Sequence, residues 1–229
     1  MKSTGILVLM LGLCCVSATR AEERDKQSTW NLAQDVVLTS NEISFSQGSN
    51  GVWYFLESAS LTHDPFTYSR LPHYTVFCDF DPVAADGSAC LGDAERDVVG
   101  NRLPAVGVNF SNAALVLFTS VLPPRSVFMH PGIEKLAIVA WKSPVNGKVS
   151  VTGSFRDVDP ACGDGVSWSI DKGTKTIQSG DLPNGGSASF AFVESVKKDQ
   201  VLYFTVGPKA EYSCDGTKLA LTITRGAED

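Results

Sequence analysis

Histidine is scarce in this 229-residue chain: His63, His73 and His130 are all there are. No His-Glu-x-x-His helix, Gly-x-Ser-x-Gly elbow or phosphate-binding glycine loop occurs. The commonest hydrolase and nucleotide-binding arrangements are therefore missing. Basic charge is also thin, with 19 Lys and Arg against 25 Asp and Glu and a net charge of −6. A chain without a basic stripe is a poor partner for nucleic acid and repels anionic lipid. Past the first twenty residues no apolar run is long enough to span a bilayer. No stretch carries a convincing amphipathic helical period. None of the cysteines forms a C-x-x-C pair, which argues against a zinc site.

What is present begins with a secretory signal. Lys2 opens it, Ile6 to Val16 is its apolar core, and small residues follow, with cleavage expected after Ala18 or Ala21. We take residues 1–21 as the signal, 22–28 as a polar leader and 29–227 as a single β-sandwich domain. The protein is then expected to be secreted, extracellular or on the cell surface, with no membrane span. Losing Lys2 and Arg20 would move the charge to about −8. The signal also removes Cys14 and Cys15. Cys78, Cys90, Cys162 and Cys214 remain, an even set that suggests disulfides and allows three pairings.

Short runs of alternating polarity, separated by turn residues, fill the second half. Strands are expected at 136–141, 148–155, 166–170, 174–178, 188–193, 201–206 and 219–224. Val149, Val151 and Phe155 share one face and Ser150, Thr152 and Ser154 the other. Val166, Trp168 and Ile170 likewise share a face, so Trp168 is expected in the core. One apolar and one polar face per strand predicts antiparallel sheets packed face to face. The fold class is all-β, an antiparallel, jelly-roll-like sandwich. The first half is less regular. Strands are expected at 30–40, 51–56, 74–80, 105–109 and 114–121, with a long loop from Asp81 to Arg96. Asn109-Phe110-Ser111 is a glycosylation sequon.

The turn His130-Pro131-Gly132 is followed by Val139-Ala140-Trp141-Lys142-Ser143-Pro144-Val145-Asn146-Gly147, Gly153-Ser154-Phe155 and Gly163-Asp164-Gly165-Val166. Lys198-Asp199-Gln200-Val201-Leu202-Tyr203-Phe204-Thr205-Val206-Gly207-Pro208 and Asp215-Gly216-Thr217-Lys218-Leu219-Ala220-Leu221-Thr222-Ile223 complete the series. This series resembles an uncharacterised jelly-roll module of secreted bacterial proteins, including planctomycete and PEP-CTERM sorted ones. Trp30 and Asn50-Gly51-Val52-Trp53-Tyr54 extend the likeness more weakly into the first half. Lys198 stands where the pattern usually has glycine. The resemblance implies a fold like that of carbohydrate-binding modules. Fold alone does not assign function.

Proximity across a loop suggests a Cys78–Cys90 bridge. The resemblance implies Cys162–Cys214, because it places the loops before Val166 and Leu219 at one end of the sandwich. That bridge would hold Asp159, Asp164 and Asp215 close together, and with Asp157 they form an acidic group on loops that suits calcium, the one cofactor suggested. Tyr203, Tyr54 and Tyr212, read as outward-facing or in a loop, are the ligand-binding candidates. His130 is expected to be a hydrogen-bonding turn residue, and no residue is assigned a catalytic role. The reading is a non-catalytic module binding polysaccharide or cell-surface glycan. The alternative is a structural subunit of an extracellular matrix, filament or surface assembly, whose partners are copies of itself. A β-sandwich hydrolase ranks below both.

Overall fold

The computed structural model describes residues 28–36, 52–74, 87–117 and 119–226. The signal segment, most of the leader, and Cys78 lie outside them.

Alternation becomes burial along the strand Gly147–Asp157, where Val149, Val151 and Phe155 are buried and Thr152 and Arg156 are exposed. The same logic builds sixteen strands among the described residues. They are β1 (Thr29–Asn31), β2 (Trp53–Glu57), β3 (Ser69–Arg70), β4 (His73–Tyr74), β5 (Ser88–Gly92) and β6 (Ala105–Asn109). Then come β7 (Leu115–Leu117), β8 (Ser120–Leu122), β9 (Ser126–His130), β10 (Ala137–Lys142) and β11 (Gly147–Asp157). The last are β12 (Val166–Lys172), β13 (Lys175–Leu182), β14 (Ser187–Val196), β15 (Val201–Pro208) and β16 (Thr217–Arg225). One helix, α1 (Leu32–Val36), follows β1.

All pairings are antiparallel. The larger sheet runs β14-β11-β16-β9-β6-β5-β4, with β1 and β9 sharing one edge of β16 in succession. The smaller sheet runs β13-β12-β15-β10-β2-β3, and β7-β8 is a separate hairpin. The two large sheets face each other as a sandwich of jelly-roll type.

Aromatic rings span the gap between them. Phe155 of β11 stacks on Trp168 of β12 at 5.3 Å, and Phe190 of β14 meets Phe155 at 5.5 Å and Phe204 of β15 at 5.9 Å. At the other end Trp30 of β1 packs on Trp141 of β10 at 5.2 Å. Trp168 packs against the core from the face its alternation implied, but it is half-buried and its ring also lines a groove. β10 is buried on both faces from Ala137 to Trp141. Segment 58–70 folds back over the outer face of this sheet, where Tyr68 packs edge-on against Tyr203 at 5.2 Å.

Several first-half expectations need correction. Trp30 is the middle residue of a three-residue strand that passes directly into α1, so 30–36 is not one strand. Residues 37–40 lie outside the described set. The stretch expected as a long loop contains β5, buried throughout. Ala, Gly and Ser there give no alternation because both faces of the strand are covered. The run 114–121 is part of a hairpin rather than one strand. The sequon is also spent internally. Asn109 is fully buried, its amide donates to the Ala113, Leu122 and Pro123 carbonyls, and its Oδ1 accepts from Ser111. The folded chain has no room for a sugar on it.

Gly153 sits beneath the Phe190 ring, its cross-strand partner. A Cβ there would lie 2.2 Å from the Ala220 carbonyl oxygen and 2.5 Å from the ring. Gly153→Ala is therefore expected to destabilise the fold by about 1–3 kcal/mol, as overpacking does. Urea denaturation against the parent chain measures it.

Candidate functional site

The end of the sandwich where β11 leads to β12 and β15 leads to β16 gathers the acidic residues. Cys162 and Cys214 form a disulfide there, with Cα atoms 5.6 Å apart. It ties loop 158–165 to loop 209–216. Closing a loop of 52 residues this way constrains the unfolded chain by roughly 4 kcal/mol in the chain-entropy model. Gly163 and Gly165 both take positive φ, +89° and +82°. A Cβ on Gly165 would lie 2.0 Å from the Leu182 carbonyl oxygen, and one on Gly163 2.5 Å from that of Ser213. The Gly-Asp-Gly-Val signature is thus a matter of backbone conformation and close approach. Cys90 is disulfide-bonded too; its expected partner Cys78 is not among the described residues.

Asp215 is fully buried, and neither of its carboxylate oxygens has a hydrogen-bond partner. Burial, reinforced by the charges of Asp164, Asp157 and Glu211 and weakly opposed by Lys209, pushes its carboxyl up to about 8. Asp164 Oδ2 accepts from the Ala210 amide at 2.9 Å, while its Oδ1 is buried and unpartnered. Asp157 is satisfied internally, by the Asp159 and Gly185 amides at 2.7 and 2.9 Å. Asp159 turns elsewhere: its Oδ2 accepts from the Thr119 and Ser120 hydroxyls, while its Oδ1 is buried and unpartnered. Its carboxylate also falls in a group with the sulfurs of Cys162 and Cys214, spanning 4.8 Å. Those sulfurs are spent in the disulfide, so this group is not a thiolate metal site.

Beside this end lies a cavity of about 370 Å³, with Leu103, Leu122 and Phe128 as apolar wall and Tyr212, His130 and Asp159 as polar members. Tyr212 is half-buried and donates to Asp97 Oδ2 at 3.1 Å. His130 makes a 2.8 Å contact from Nδ1 to the Pro131 carbonyl, but it does so as the last residue of β9, paired with Ala105, and not from a turn. Burial lowers its pKa against the pull of that bond and of nearby aspartates.

The second concave surface lies on the outer face of the smaller sheet. Strand register sets Ser167 between Asp181 and Gly207, Ser169 between Ser179 and Thr205, and Asp171 between Thr176 and Tyr203. The first two rows line a groove of about 360 Å³, with His63 at its side. Thr205 Oγ1 is buried there without a partner. Tyr203 and Tyr54 both point outward on this face, two strands apart with Ala140 between them. Neither is a bare platform. Tyr203 is half-buried beneath Tyr68, and Arg70 lies over the Tyr54 ring at 5.1 Å.

Segment 58–70 adds two residues that sequence reasoning passed over. Phe66 is 93 % exposed on a short 3₁₀ turn (Pro65–Thr67) whose cap, Asp64, accepts from the Phe66 amide at 3.1 Å. His63 Nδ1 lies 2.9 Å from Asp171 Oδ2 and 3.0 Å from Ser169 Oγ, and Ser169 donates to the same Asp171 oxygen at 2.6 Å. Burial alone would raise the Asp171 carboxyl, but the bonds from His63, Ser169 and Thr176 outweigh it and hold it below its usual range. A serine–histidine–aspartate relay needs serine and aspartate on opposite imidazole nitrogens. Here both meet Nδ1, so the group positions His63 and does not activate Ser169.

No protein-family model matches the chain, and no curated protein sequence does. Solved structures overlap it loosely. CBM51 from Clostridium perfringens GH95, in complex with methyl-galactose, is 9 % identical over 43 % of this chain and 69 % of its own, with a TM-score of 0.33. The CBM36-1 domain of a multidomain xylanase from the hindgut metagenome of Trinervitermes trinervoides is 9 % identical over 45 % and 79 %, with a TM-score of 0.29. A CBM51-2 structure from Clostridium perfringens ZmpB, in complex with GlcNAc, is 14 % identical over 61 % and 28 %, with a TM-score of 0.36. Overlaps this loose carry no argument about ligand.

Asp215 makes stability depend on pH. Its carboxyl, raised to about 8, keeps a proton that the unfolded chain gives up near 3.8. Its contribution is therefore complete at low pH and is lost as pH rises from about 4 to about 8, at up to about 1.4 kcal/mol per unit. Thermal melts in chelator-treated buffer should show this decline, and Asp215→Asn should flatten it.

Proposed function

We propose that this chain is an extracellular, non-catalytic binding module for polysaccharide or cell-surface glycan. The hydroxyl-lined groove on the smaller sheet carries the reading. Ser167 and Ser179 offer hydroxyls that both donate and accept, Asp181 adds a strong acceptor, and the buried Ser169 and Thr205 form the floor beneath them. A ring bearing several hydroxyls matches such a surface better than an apolar or anionic ligand does. The groove is built on paired strands, so these groups are held in place before any ligand arrives. Phe66, on the same segment as His63, supplies an exposed ring of the kind that packs on the apolar face of a sugar. Its short capped turn limits the freedom lost on binding.

Affinity electrophoresis against a panel of soluble polysaccharides tests the reading, followed by calorimetry on any that retards the protein. Asp181→Ala and Phe66→Ala should each weaken binding by about 1–2 kcal/mol and leave the melting temperature unchanged, since both side chains are exposed. Tyr203→Ala is a poorer probe, because it also removes the support of Tyr68. If no polysaccharide binds at millimolar concentration, the glycan reading is wrong.

A further inference from the structure

The acidic end of the sandwich remains unexplained by a groove on its outer face. Asp215 is buried completely with two unpartnered oxygens, and Asp164 aims a third unpartnered, buried oxygen from the facing loop. The charges of Asp157 and Glu211 also act on Asp215, and Lys209 is the only cation among its influences. The Lys209 ammonium is itself engaged with the Asp164 backbone carbonyl at 2.6 Å. Asp157 is bonded through both oxygens and Asp159 through one, whereas Asp215 has no partner on either oxygen.

A proton on Asp215 would silence one of the three and leave the others without a partner. A divalent cation held between the two loops would answer the Asp215 and Asp164 oxygens together. The donor set is oxygen alone, because both nearby sulfurs are in the disulfide. That excludes the soft-ligand metals and suits calcium, which accepts irregular sets of carboxylate and carbonyl oxygens. We infer that Asp215 and Asp164 ligate a calcium ion between loops 158–165 and 209–216. Gly163 fits this role: a Cβ there would stand 3.5 Å from Asp215 Oδ1 and 2.5 Å from the Ser213 carbonyl oxygen, crowding the space between the loops. Asp157 contributes charge beside the ion. Asp159, grouped with these acids by its place in the sequence, is not among the groups acting on Asp215 and belongs to the cavity wall.

The ion's task is mechanical. It and the disulfide clamp the same two loops, and the second loop carries Tyr212 and Ser213 on the wall of the 370 Å³ cavity. The inference does not depend on the glycan reading, since the groove is built from other strands.

The full chain with its disulfides intact tests it. Metal content is measured after dialysis into calcium-free buffer, and melting curves at pH 7.5 are compared in EDTA and in calcium chloride. About one calcium per chain is expected, with a melting temperature higher by roughly 5–10 °C at calcium about a hundredfold above its Kd. Asp215→Asn should abolish the rise. Should that variant not fold, Asp164→Asn, at the half-exposed edge of the loop, should lower calcium affinity at least tenfold. Identical melting of the parent chain in EDTA and calcium with no metal bound overturns the site. A calcium response left intact in Asp164→Asn or Asp215→Asn overturns it equally.

Discussion

The stack of Phe155 on Trp168 across the sandwich is the contact on which the rest is arranged. Phe155 is third from the end of β11 and Trp168 third from the start of β12, so the ring pair fixes where one strand leaves its sheet and the next enters the other. The loop between them has nowhere to go except the end of the sandwich, beside the approach to β16. The apolar residues of β12 also settle what faces out. With Val166 and Ile170 in the core and Trp168 packed against it, Ser167, Ser169 and Asp171 take the opposite face. Both concave sites therefore follow from one packing decision in the interior.

Legibility in the sequence followed exposure. Strands of the second half matched their expected positions within a few residues; all but β10, which is buried on both faces, keep one polar face, and polarity with period two is a local signal. β5 and β9 were invisible because their residues are almost all buried, which leaves no alternation to detect. β9 is also framed by Pro123-Pro124 and Pro131, which read as turns. α1 is five residues long, less than two turns, too short to show a helical period.

The sites divide in the same way. Cys162, Asp164 and Asp215 could be grouped in advance, because a disulfide between two loop ends draws in everything adjacent to it. The sequence offered no means of separating Asp159 from that group, since hydrogen bonds from Thr119 and Ser120 decide it. The meeting of His63 with Asp171 spans 108 positions and leaves no local trace. Phe66 lay in a segment notable for its prolines, and those prolines are part of what presents it. Of the three tyrosines, Tyr203 and Tyr54 were correctly assigned to the outer face. Period two says which way a residue points and nothing about what later folds over it.

The buried sequon sets a condition on how this chain is made. Asn109 joins the end of β6 to the turn before β9, and its amide serves three carbonyls there. An oligosaccharide on that nitrogen and the native corner are mutually exclusive. In a cell that glycosylates nascent chains, folding of β6 and β9 races the transferase, and every molecule modified first is lost to the native state. Host choice for production thus acts on yield through a single side chain, and the fraction of folded protein reports the outcome of that race.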